Sequence, residues 1–373
     1  MAGTQTLVQR IPAQWQAAVV RALFQLPRPV RRLIAGPQII RDGQRLDLDL
    51  QMLLRLSRIE GNAELGGGTT EAARARLEAG SLLIAGPRIE PVSTRPIGIP
   101  TADRTIPARL YTPTGLAAGS PLLIFYHGGG WVVGSLESHD NLCRYLAQQA
   151  GVRVLSVDYR MAPEHAFPAA VDDALAAFGY AAGNAEDLGI DPAAIAVGGD
   201  SAGGNLAAVV AHTAGLNGTA RPVFALLLYP ATDGTTRRPS REKFGEGFML
   251  TDANMTWFMD HYVPDVEQRS DPRMSVLLAD DLRGFPATYL ATAGFDPLRD
   301  EGEAFAEKLA AAGVRVVARR HPDLIHGYAS MLAAGSRCRE AVAEAAGALR
   351  VGLALSRPKP RARRKPAATK SDA

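Results

Sequence analysis

The chain has 373 residues, of which 47% are hydrophobic and 21% are charged, a composition that excludes a largely disordered protein. Its formal net charge is +3, but the last 17 residues hold seven Lys or Arg and one Asp, which leaves 34 basic and 37 acidic side chains elsewhere. The basic character therefore lies in the tail, and the body is not a basic nucleic-acid-binding fold.

The first 87 residues are predicted to be helical. Apolar residues recur at helical spacing in AQWQAAVVRALFQLPRPVRRLIAG, which Pro27 and Pro29 interrupt. DLDLQMLLRLSRIEG and GTTEAARARLEAGSLLIAG predict further helices. We expect this region to form a helical cap on the main domain. A membrane-binding arm is the alternative, because RALFQLPRPVRRLIAG mixes arginines with apolar residues.

Between residues 88 and 355 the pattern changes to strands that alternate with helices. IEPVSTRPIGIP and TIPARLYTP predict two paired strands. Six apolar runs predict buried strands: PLLIFYH (121–127), VRVLSVDY (152–159), AAIAVGGD (193–200), VFALLLYP (223–230), ATYLATAGFDP (287–297) and VRVVARRHP (314–322). Such runs, separated by helices, favour an α/β fold whose mostly parallel sheet is covered by helices on both faces.

Two segments fall outside this alternation. Residues 232–284 contain the aromatic stretch FMLTDANMTWFMDHYV and are predicted to be a helical insertion that belongs to the cap. Residues 356–373 are rich in Pro, Arg, Lys and Ala and are predicted to be a disordered basic tail.

Neither the cysteine content nor the apolar runs indicate export or a membrane span. Cys143 and Cys338 are too few for a disulfide framework or a zinc knuckle. No basic segment with an apolar core and a small-residue cleavage site opens the chain, and no apolar run reaches about 18 residues. We expect a cytoplasmic protein, with peripheral membrane or cell-envelope association as the alternative.

The pentapeptide Gly199-Asp200-Ser201-Ala202-Gly203 follows a predicted buried strand and precedes a predicted helix. In that context Gly-x-Ser-x-Gly indicates a sharp turn that exposes the serine, and the glycines remove side chains that would clash. A glycine-rich turn with no catalytic role is the alternative, because 37 of the 373 residues are Gly and the pattern can therefore occur by chance. A nucleophilic serine is thus a hypothesis that other motifs must support.

Three consecutive glycines follow an earlier predicted strand, in FYHGGGWVVGS. Backbone N–H groups there can stabilise the negative oxygen of a tetrahedral intermediate, which needs donors that are already aimed at it. Gly128, Gly129 and Gly130 can supply one or two such donors, and the Ala202 amide another. A phosphate-binding loop is disfavoured, because neither Gly-x-Gly-x-x-Gly nor Gly-Lys-Ser/Thr spacing is present.

A serine nucleophile needs a base, and a third group must orient that base. In this architecture the acid and then the histidine follow the serine along the chain. His326, in the loop DLIHGYAS, is the predicted base; His261 lies in the predicted insertion and His321 in a predicted strand. Asp296 ends the strand YLATAGFDP and is the predicted acid, ahead of Asp300, which we expect in the next helix.

The motifs HGGGW, DYRMAPEHAFPAAVDDA, GGDSAGGNLAA, AGFDPLRDEG and HGYAS resemble the hormone-sensitive-lipase family of α/β-hydrolases, with its bacterial esterases, over residues 85–350. The resemblance implies the α/β-hydrolase fold, Ser201, Asp296 and His326 as the triad, and the His127–Gly130 loop as part of the oxyanion hole. It also implies a cap formed by the N-terminal helices and an insertion after Pro230. Relatives commonly dimerise, so a homodimer is an open expectation.

Other conspicuous residues have less specific predicted roles. Aromatic residues are predicted either to line an acyl pocket or to belong to the core: Trp131, Phe248, Trp257, Phe258 and Tyr262. Charged residues after a predicted strand are expected to form a buried salt-bridge network beneath the site: Asp158, Arg160 and Glu164. Asp200 is expected to hydrogen-bond to backbone nearby.

We therefore expect a serine carboxylesterase that hydrolyses short- to medium-chain esters through an acyl-enzyme and needs no cofactor or metal. A hydrolase of an amide, a lactone or an acetylated metabolite is the alternative, because the same triad serves all of these. A non-catalytic small-molecule receptor on the same fold is a further alternative, which the complete triad disfavours. The expected partner is a small-molecule ester, not nucleic acid.

Overall fold

Strands form the centre of the protein, which the computed structural model describes over residues 13–60, 65–217 and 220–356. Within those ranges the strands are β1 (Ile40–Arg41), β2 (Gln44–Arg45), β3 (Val92–Pro100), β4 (Thr105–Pro113), β5 (Ser120–Tyr126), β6 (Arg153–Val157), β7 (Ile190–Asp200), β8 (Phe224–Leu228), β9 (Ala287–Phe295) and β10 (Val316–Ile325). β1 and β2 pair as a small antiparallel hairpin. The predicted tail from residue 357 onward lies outside the described residues.

The other eight strands form one sheet in the order β10-β9-β8-β7-β5-β6-β4-β3. Pairing is parallel from β10 through β6, whereas β4 is antiparallel to both β6 and β3. All eight predicted strands are present, and the prediction of a mostly parallel sheet is confirmed. In such a sheet the carboxyl ends of the parallel strands lie along one edge, where the loops can bring distant residues together.

Helices surround this sheet. They are α1 (Ala13–Phe24), α2 (Arg28–Ala35), α3 (Leu48–Glu60), α4 (Thr70–Ile84), α5 (Asp140–Ala150), α6 (Ala169–Gly183), α7 (Ala185–Leu188), α8 (Ala202–Asn217), α9 (Pro239–Phe244), α10 (Asp252–Tyr262), α11 (Arg299–Ala311) and α12 (Arg337–Ser356). No helix within the described ranges is both long enough and apolar enough to cross a bilayer.

The sheet buries side chains on both faces, as β5 illustrates. Leu122 and Ile124 lie in the apolar cluster that includes α6, α8 and α11. Leu123 and Phe125 lie in the opposite cluster, with α5 and α12. Alternate residues of a strand point to opposite faces, so a run that is apolar at every position can be buried on both sides, as the sequence predicted.

The N-terminal helices form where the periodicity predicts them, and their segment contacts the loops at the carboxyl edge of the sheet. The β1–β2 hairpin lies near the end of β9, where Gln44 Nε2 donates to the carbonyl oxygen of Gly294 at 3.2 Å. From α4, Arg74 donates to the Val132 carbonyl at 2.8 Å. The sequence reasoning missed the hairpin, because two-residue strands are too short to show a period.

The segment between β8 and β9 contains α9 and α10 and contacts the N-terminal segment. Arg58 at the end of α3 donates to the Gly247 carbonyl at 2.7 Å. A β-carbon on Gly66 would lie 3.0 Å from the Trp257 ring, so the Gly66 backbone packs directly on that indole. The division into a cap, a main domain and a tail stays a prediction.

Candidate active site

Ser201 lies in the turn between β7 and α8 with a backbone φ of +55°. A non-glycine residue in the left-handed region costs roughly 1 kcal/mol or more, so the surrounding structure must hold it there. The Ser201 amide donates to the Leu228 carbonyl at 2.9 Å, and the Ser201 carbonyl accepts from the Ala231 amide at 3.2 Å. The β8 segment therefore fixes the strained turn that presents the serine.

The two glycines of the pentapeptide are required because the backbone of the neighbouring strand β5 comes very close. A β-carbon on Gly199 would lie 2.5 Å from the Tyr126 carbonyl oxygen, and one on Gly203 would overlap that same oxygen. The prediction that side chains at these two positions would clash is confirmed.

Three predicted residues from three separate loops meet at this turn. His326 Nε2 lies 2.9 Å from Ser201 Oγ, and His326 Nδ1 lies 2.8 Å from Asp296 Oδ2. The other carboxylate oxygen of Asp296 accepts from the Leu298 amide at 2.8 Å. Asp296 is fully buried and His326 nearly so, while Ser201 is partly exposed. The arrangement can transfer the serine proton to an imidazole that a buried carboxylate orients.

The alternatives to these residues have other contacts. His261 Nδ1 lies 2.8 Å from a carbonyl of its own helix, α10. His321 is buried beside Arg337, at 3.1 Å, and burial, with that guanidinium nearby, lowers the pKa of His321 to about 4. Asp300 accepts from the Ser240 amide at 2.8 Å. None of these three side chains has a hydrogen bond to Ser201 or His326 in the described structure.

The structure distinguishes the three glycines of the loop by whether their amides are already hydrogen-bonded. The Gly128 amide already donates to Asp200 Oδ1 at 2.9 Å, so the expectation of one or two donors from this loop now depends on Gly129 and Gly130. The amides of Gly129, Gly130 and Ala202 have no acceptor among the described residues, and both glycines are partly exposed. These three N–H groups are therefore free to donate to a ligand.

Buried side chains support the glycine loop from behind. The Tyr159 hydroxyl donates to the His127 carbonyl at 2.7 Å, and the two rings stack with centroids 4.4 Å apart. Burial, with His139 nearby, lowers the pKa of His127 to about 4. His127 is therefore neutral at physiological pH and acts as part of the packing beneath the loop.

The aromatic residues divide between the site and the core. The Phe258 ring packs on Gly130, since a β-carbon on that glycine would overlap the ring atoms. Trp131 stacks on Tyr262 with centroids 4.6 Å apart, and both are buried. Phe248 packs against other phenylalanines in the opposite core cluster. Of the predicted pocket residues, Phe258 is thus the one whose ring covers the backbone of Gly130.

The predicted network of Asp158, Arg160 and Glu164 is wrong. Arg160 pairs with Asp173 at 2.8 Å, and Glu164 pairs with Arg74 of α4 at 2.7 Å. Burial raises the pKa of Asp158, which has no ion pair in the described structure. These charges join the helices to the loops and do not form one cluster.

Sequence reasoning missed two buried residues near the site. The Tyr229 ring lies 4.8 Å from the His326 ring, between centroids. Glu301 accepts from the Thr232 amide at 2.7 Å, and burial raises the pKa of Glu301 to about 8. Tyr229 directly follows the apolar run of β8, so a polar side chain at the carboxyl end of a buried strand was a usable signal.

Comparison with known proteins identifies the family. The family model described as alpha/beta hydrolase fold matches residues 123–330. The chain is an α/β-hydrolase of the hormone-sensitive-lipase family. The resemblance predicted from the motifs is confirmed, and so is the predicted fold.

Named relatives of this α/β-hydrolase cover most of its length. It is 45% identical over 342 residues to carboxylic ester hydrolase LipN of Mycobacterium tuberculosis, and the matched region covers 90% of each chain. It is 42% identical over 265 residues to ethyl acetate hydrolase of Pseudomonas putida, covering 70% of this chain and 83% of that protein. The solved ester hydrolase EH1AB1 from the metagenome of Lake Arreo is 40% identical, with a TM-score of 0.80, covering 83% of this chain and 99% of that one.

Proposed function

We propose that this α/β-hydrolase is a carboxylic ester hydrolase that works through an acyl-enzyme on Ser201. The observation that carries the proposal is the unbroken chain of contacts from Ser201 Oγ through His326 to Asp296, at 2.9 and 2.8 Å. The relatives named as carboxylic ester hydrolase and ethyl acetate hydrolase support the same reaction class.

The first step is attack by Ser201 Oγ on the carbonyl carbon of an ester. His326 Nε2 accepts the hydroxyl proton, while Nδ1–H donates to the buried Asp296 carboxylate. That carboxylate selects the tautomer whose Nε2 is free to accept, and it stabilises the imidazolium that forms. The same imidazolium then gives its proton to the departing alcohol oxygen.

The negative oxygen of the tetrahedral intermediate lies where the amides of Gly129, Gly130 and Ala202 are free to donate. Each aimed donor of this kind accelerates the reaction by roughly a hundredfold or more. When the alcohol has left, water attacks the acyl-enzyme, with His326 acting again as base. The carboxylic acid is released and Ser201 recovers its proton.

The proposed substrates are small esters with short to medium acyl chains. The Phe258 ring covers the Gly130 backbone, and the N-terminal segment meets the α9–α10 segment through Arg58 and Trp257. We propose that the described parts of residues 1–87, namely 13–60 and 65–87, form a cap over the carboxyl edge of the sheet together with residues 232–284. A covered site restricts the length of acyl chain that reaches Ser201.

We also propose that the protein is cytoplasmic and that it contacts membranes at their surface. A homodimer is a further part of the proposal. Helix α2 exposes Leu33, at 81%, and Val30, at 40%, beside Arg28, which suits an anionic lipid surface. Co-sedimentation with phosphatidylglycerol vesicles tests this, with Leu33→Asp expected to reduce binding. Unchanged sedimentation of that variant would contradict the part assigned to α2.

The reaction is tested with p-nitrophenyl esters of graded chain length, with matched lactones and anilides in parallel. We expect ester hydrolysis that is fastest for short to medium chains and is lost in Ser201→Ala. Ser93→Ala, at an exposed serine on the edge strand β3, serves as the control and keeps full activity. Ester hydrolysis retained by Ser201→Ala would end the proposal, and faster lactone or amide cleavage would move it to that substrate class.

A further inference from the structure

Asp200 joins three loops of the site, although it is not the acid that contacts His326. It directly precedes the proposed nucleophile and is buried, with 4% of its surface exposed. Its Oδ1 accepts from the Gly128 amide at 2.9 Å. The close fit requires glycine at 128, since a β-carbon there would lie 2.5 Å from Asp200 Oδ2. The turn of residues 199–203, which we call the nucleophile turn, and the glycine loop of residues 127–130, which we call the oxyanion loop, are thus joined through one carboxylate.

The surroundings of Asp200 favour a charged carboxylate despite its burial. His139 Nε2 lies 3.3 Å from Asp200 Oδ1, and His139 Nδ1 lies 2.8 Å from Ser138 Oγ. Burial raises the pKa of Asp200, but His139 and the Gly128 amide outweigh it and leave that pKa below its ordinary value. A charged acceptor makes a stronger hydrogen bond to the Gly128 amide than a neutral one.

Tyr229 extends this connection to the histidine loop. Its hydroxyl donates to Asp200 Oδ2 at 3.4 Å and accepts from the Ala329 amide, three residues after His326, at 3.2 Å. Its ring packs against the imidazole of His326. Burial, with Asp200 nearby, raises the pKa of Tyr229 well above its ordinary range, so the hydroxyl keeps the proton that it donates.

The backbone at Tyr229 is strained, with a φ of +36°. A non-glycine residue in that region costs on the order of 1 kcal/mol and persists only where its contacts hold it. The Tyr229 amide donates to the Ala291 carbonyl at 2.6 Å, which anchors the residue to β9, the strand that leads to Asp296. Tyr229 therefore contacts β9, which leads to Asp296, through its backbone and contacts His326 through its ring.

We propose that Asp200 and Tyr229 are positioning residues that hold the oxyanion loop, the nucleophile turn and the histidine loop in one geometry before the substrate binds. The inference rests on the proposed function and adds two residues to it. Within the described structure, neither side chain has a hydrogen bond to Ser201 Oγ or to His326 Nε2, which bond to each other. Their contribution is to keep the Gly129 and Gly130 amides and His326 Nε2 aligned on a single point beside Ser201 Oγ.

Alignment of this kind has a measurable kinetic signature. A displacement of about 1 Å at the reacting atoms costs up to roughly a hundredfold in rate. Loss of an interaction that acts only in the transition state lowers kcat and leaves KM nearly unchanged. An alkyl trifluoromethyl ketone adds reversibly to a serine hydroxyl and forms a tetrahedral oxyanion, so its affinity depends on the same alignment.

The test compares two variants with matched controls, each purified as the full chain and checked by thermal unfolding. Tyr229→Phe removes the hydroxyl and keeps the ring on His326; its control is Tyr289→Phe, at a buried tyrosine whose hydroxyl donates to Glu344. Asp200→Asn removes the charge; its control is Asp173→Asn, at an equally buried carboxylate that pairs with Arg160. kcat and KM for p-nitrophenyl butyrate and Ki for the ketone are measured for all four.

We expect kcat to fall about 10-fold in Tyr229→Phe and about 100-fold in Asp200→Asn, with KM within about threefold of wild type. Ki for the ketone should rise in proportion to the loss of kcat/KM, and the two controls should keep wild-type kinetics. If both variants match their controls in kcat and Ki, the inference is overturned. If Asp200→Asn does not fold, Tyr229→Phe alone decides, and a kcat equal to that of Tyr289→Phe overturns it.

Failure of this inference differs from failure of the proposed function. Ester hydrolysis retained by Ser201→Ala removes both. An inactive Ser201→Ala together with a fully active Tyr229→Phe removes only the positioning roles.

Discussion

The carbonyl oxygen of Tyr126 occupies the position in which any side chain at Gly203 would begin. Tyr126 ends β5 and Gly203 lies in the first turn of α8, so the glycine allows the helix to start directly against the neighbouring strand. Ser201, two residues earlier, gains its position from this close approach. The backbone of β5 thus determines where the proposed nucleophile lies.

Gly203→Ala should destabilise the protein by about 3 kcal/mol or more, because the added methyl group forces backbone to move in a packed region. The rate of ester hydrolysis by Gly203→Ala should fall as well. Gly347→Ala is the control, since a β-carbon there meets nothing within 4 Å and alanine in a helix stabilises by roughly 0.5–1 kcal/mol relative to glycine. Thermal and urea unfolding measure both changes. Equal stability of the two variants would contradict the assigned contact.

Asp296→Asn should lower kcat by roughly 10³- to 10⁴-fold with little change in KM, because the amide no longer selects the productive tautomer of His326. Asp300→Asn, four residues later and bonded to the Ser240 amide, is the matched control. We expect its kcat to stay within about threefold of wild type. A larger kcat loss in Asp300→Asn than in Asp296→Asn would reverse the assignment of the acid.

Phe258→Leu should shift the acyl-chain preference toward longer esters, because the smaller side chain frees space over the Gly130 backbone. Phe285→Leu removes a ring that is buried against Phe305 instead. Both variants lose buried apolar surface, at a cost on the order of 1 kcal/mol, so a difference in chain preference reports position. The measurement is kcat/KM across p-nitrophenyl esters, and identical profiles for the two variants would argue against a pocket at Phe258.

Glu301 should make the protein less stable as the pH rises. Its pKa is raised by burial from 4.5 to about 8, so between those values the folded state holds a proton that the unfolded state has lost. The free energy of unfolding then falls by up to about 1.4 kcal/mol per pH unit for this group. Glu301→Gln, which carries no such proton, should remove this contribution. Urea unfolding of both proteins at pH 5 and pH 8 measures it, and parallel pH profiles would contradict the prediction.

Most strands of the sheet could be predicted from the sequence, because burial on both faces gives a run of successive apolar residues. Ile124 and Phe125 point to opposite apolar clusters, so the strand between them is apolar at successive positions. Helix ends were readable where proline or glycine marks them, as at Pro27 after α1. The β1–β2 hairpin was not, since its residues are too few for a period and its position depends on contacts with Gly294 and Arg299.

The site shows the same division between local and distant information. Ser201, Asp296 and His326 each follow a buried strand in a local motif, and this is why spacing and order could predict them as candidates. The loss of the Gly128 amide to Asp200 and the contacts of Tyr229 join segments that are far apart in the chain. Periodicity and motifs do not predict contacts between distant segments, so these pairings are visible only in the three-dimensional structure.

Covalent labelling tests the central claim most directly. A p-nitrophenyl alkylphosphonate reacts with an activated serine by forming a bond between Oγ and phosphorus, and p-nitrophenolate leaves. We predict one phosphonyl group per chain, located on Ser201 by peptide mass spectrometry, with ester hydrolysis lost in proportion to labelling and no label in Ser201→Ala. Complete loss of hydrolysis while Ser201 stays unmodified and another residue carries the phosphonyl group would contradict the account.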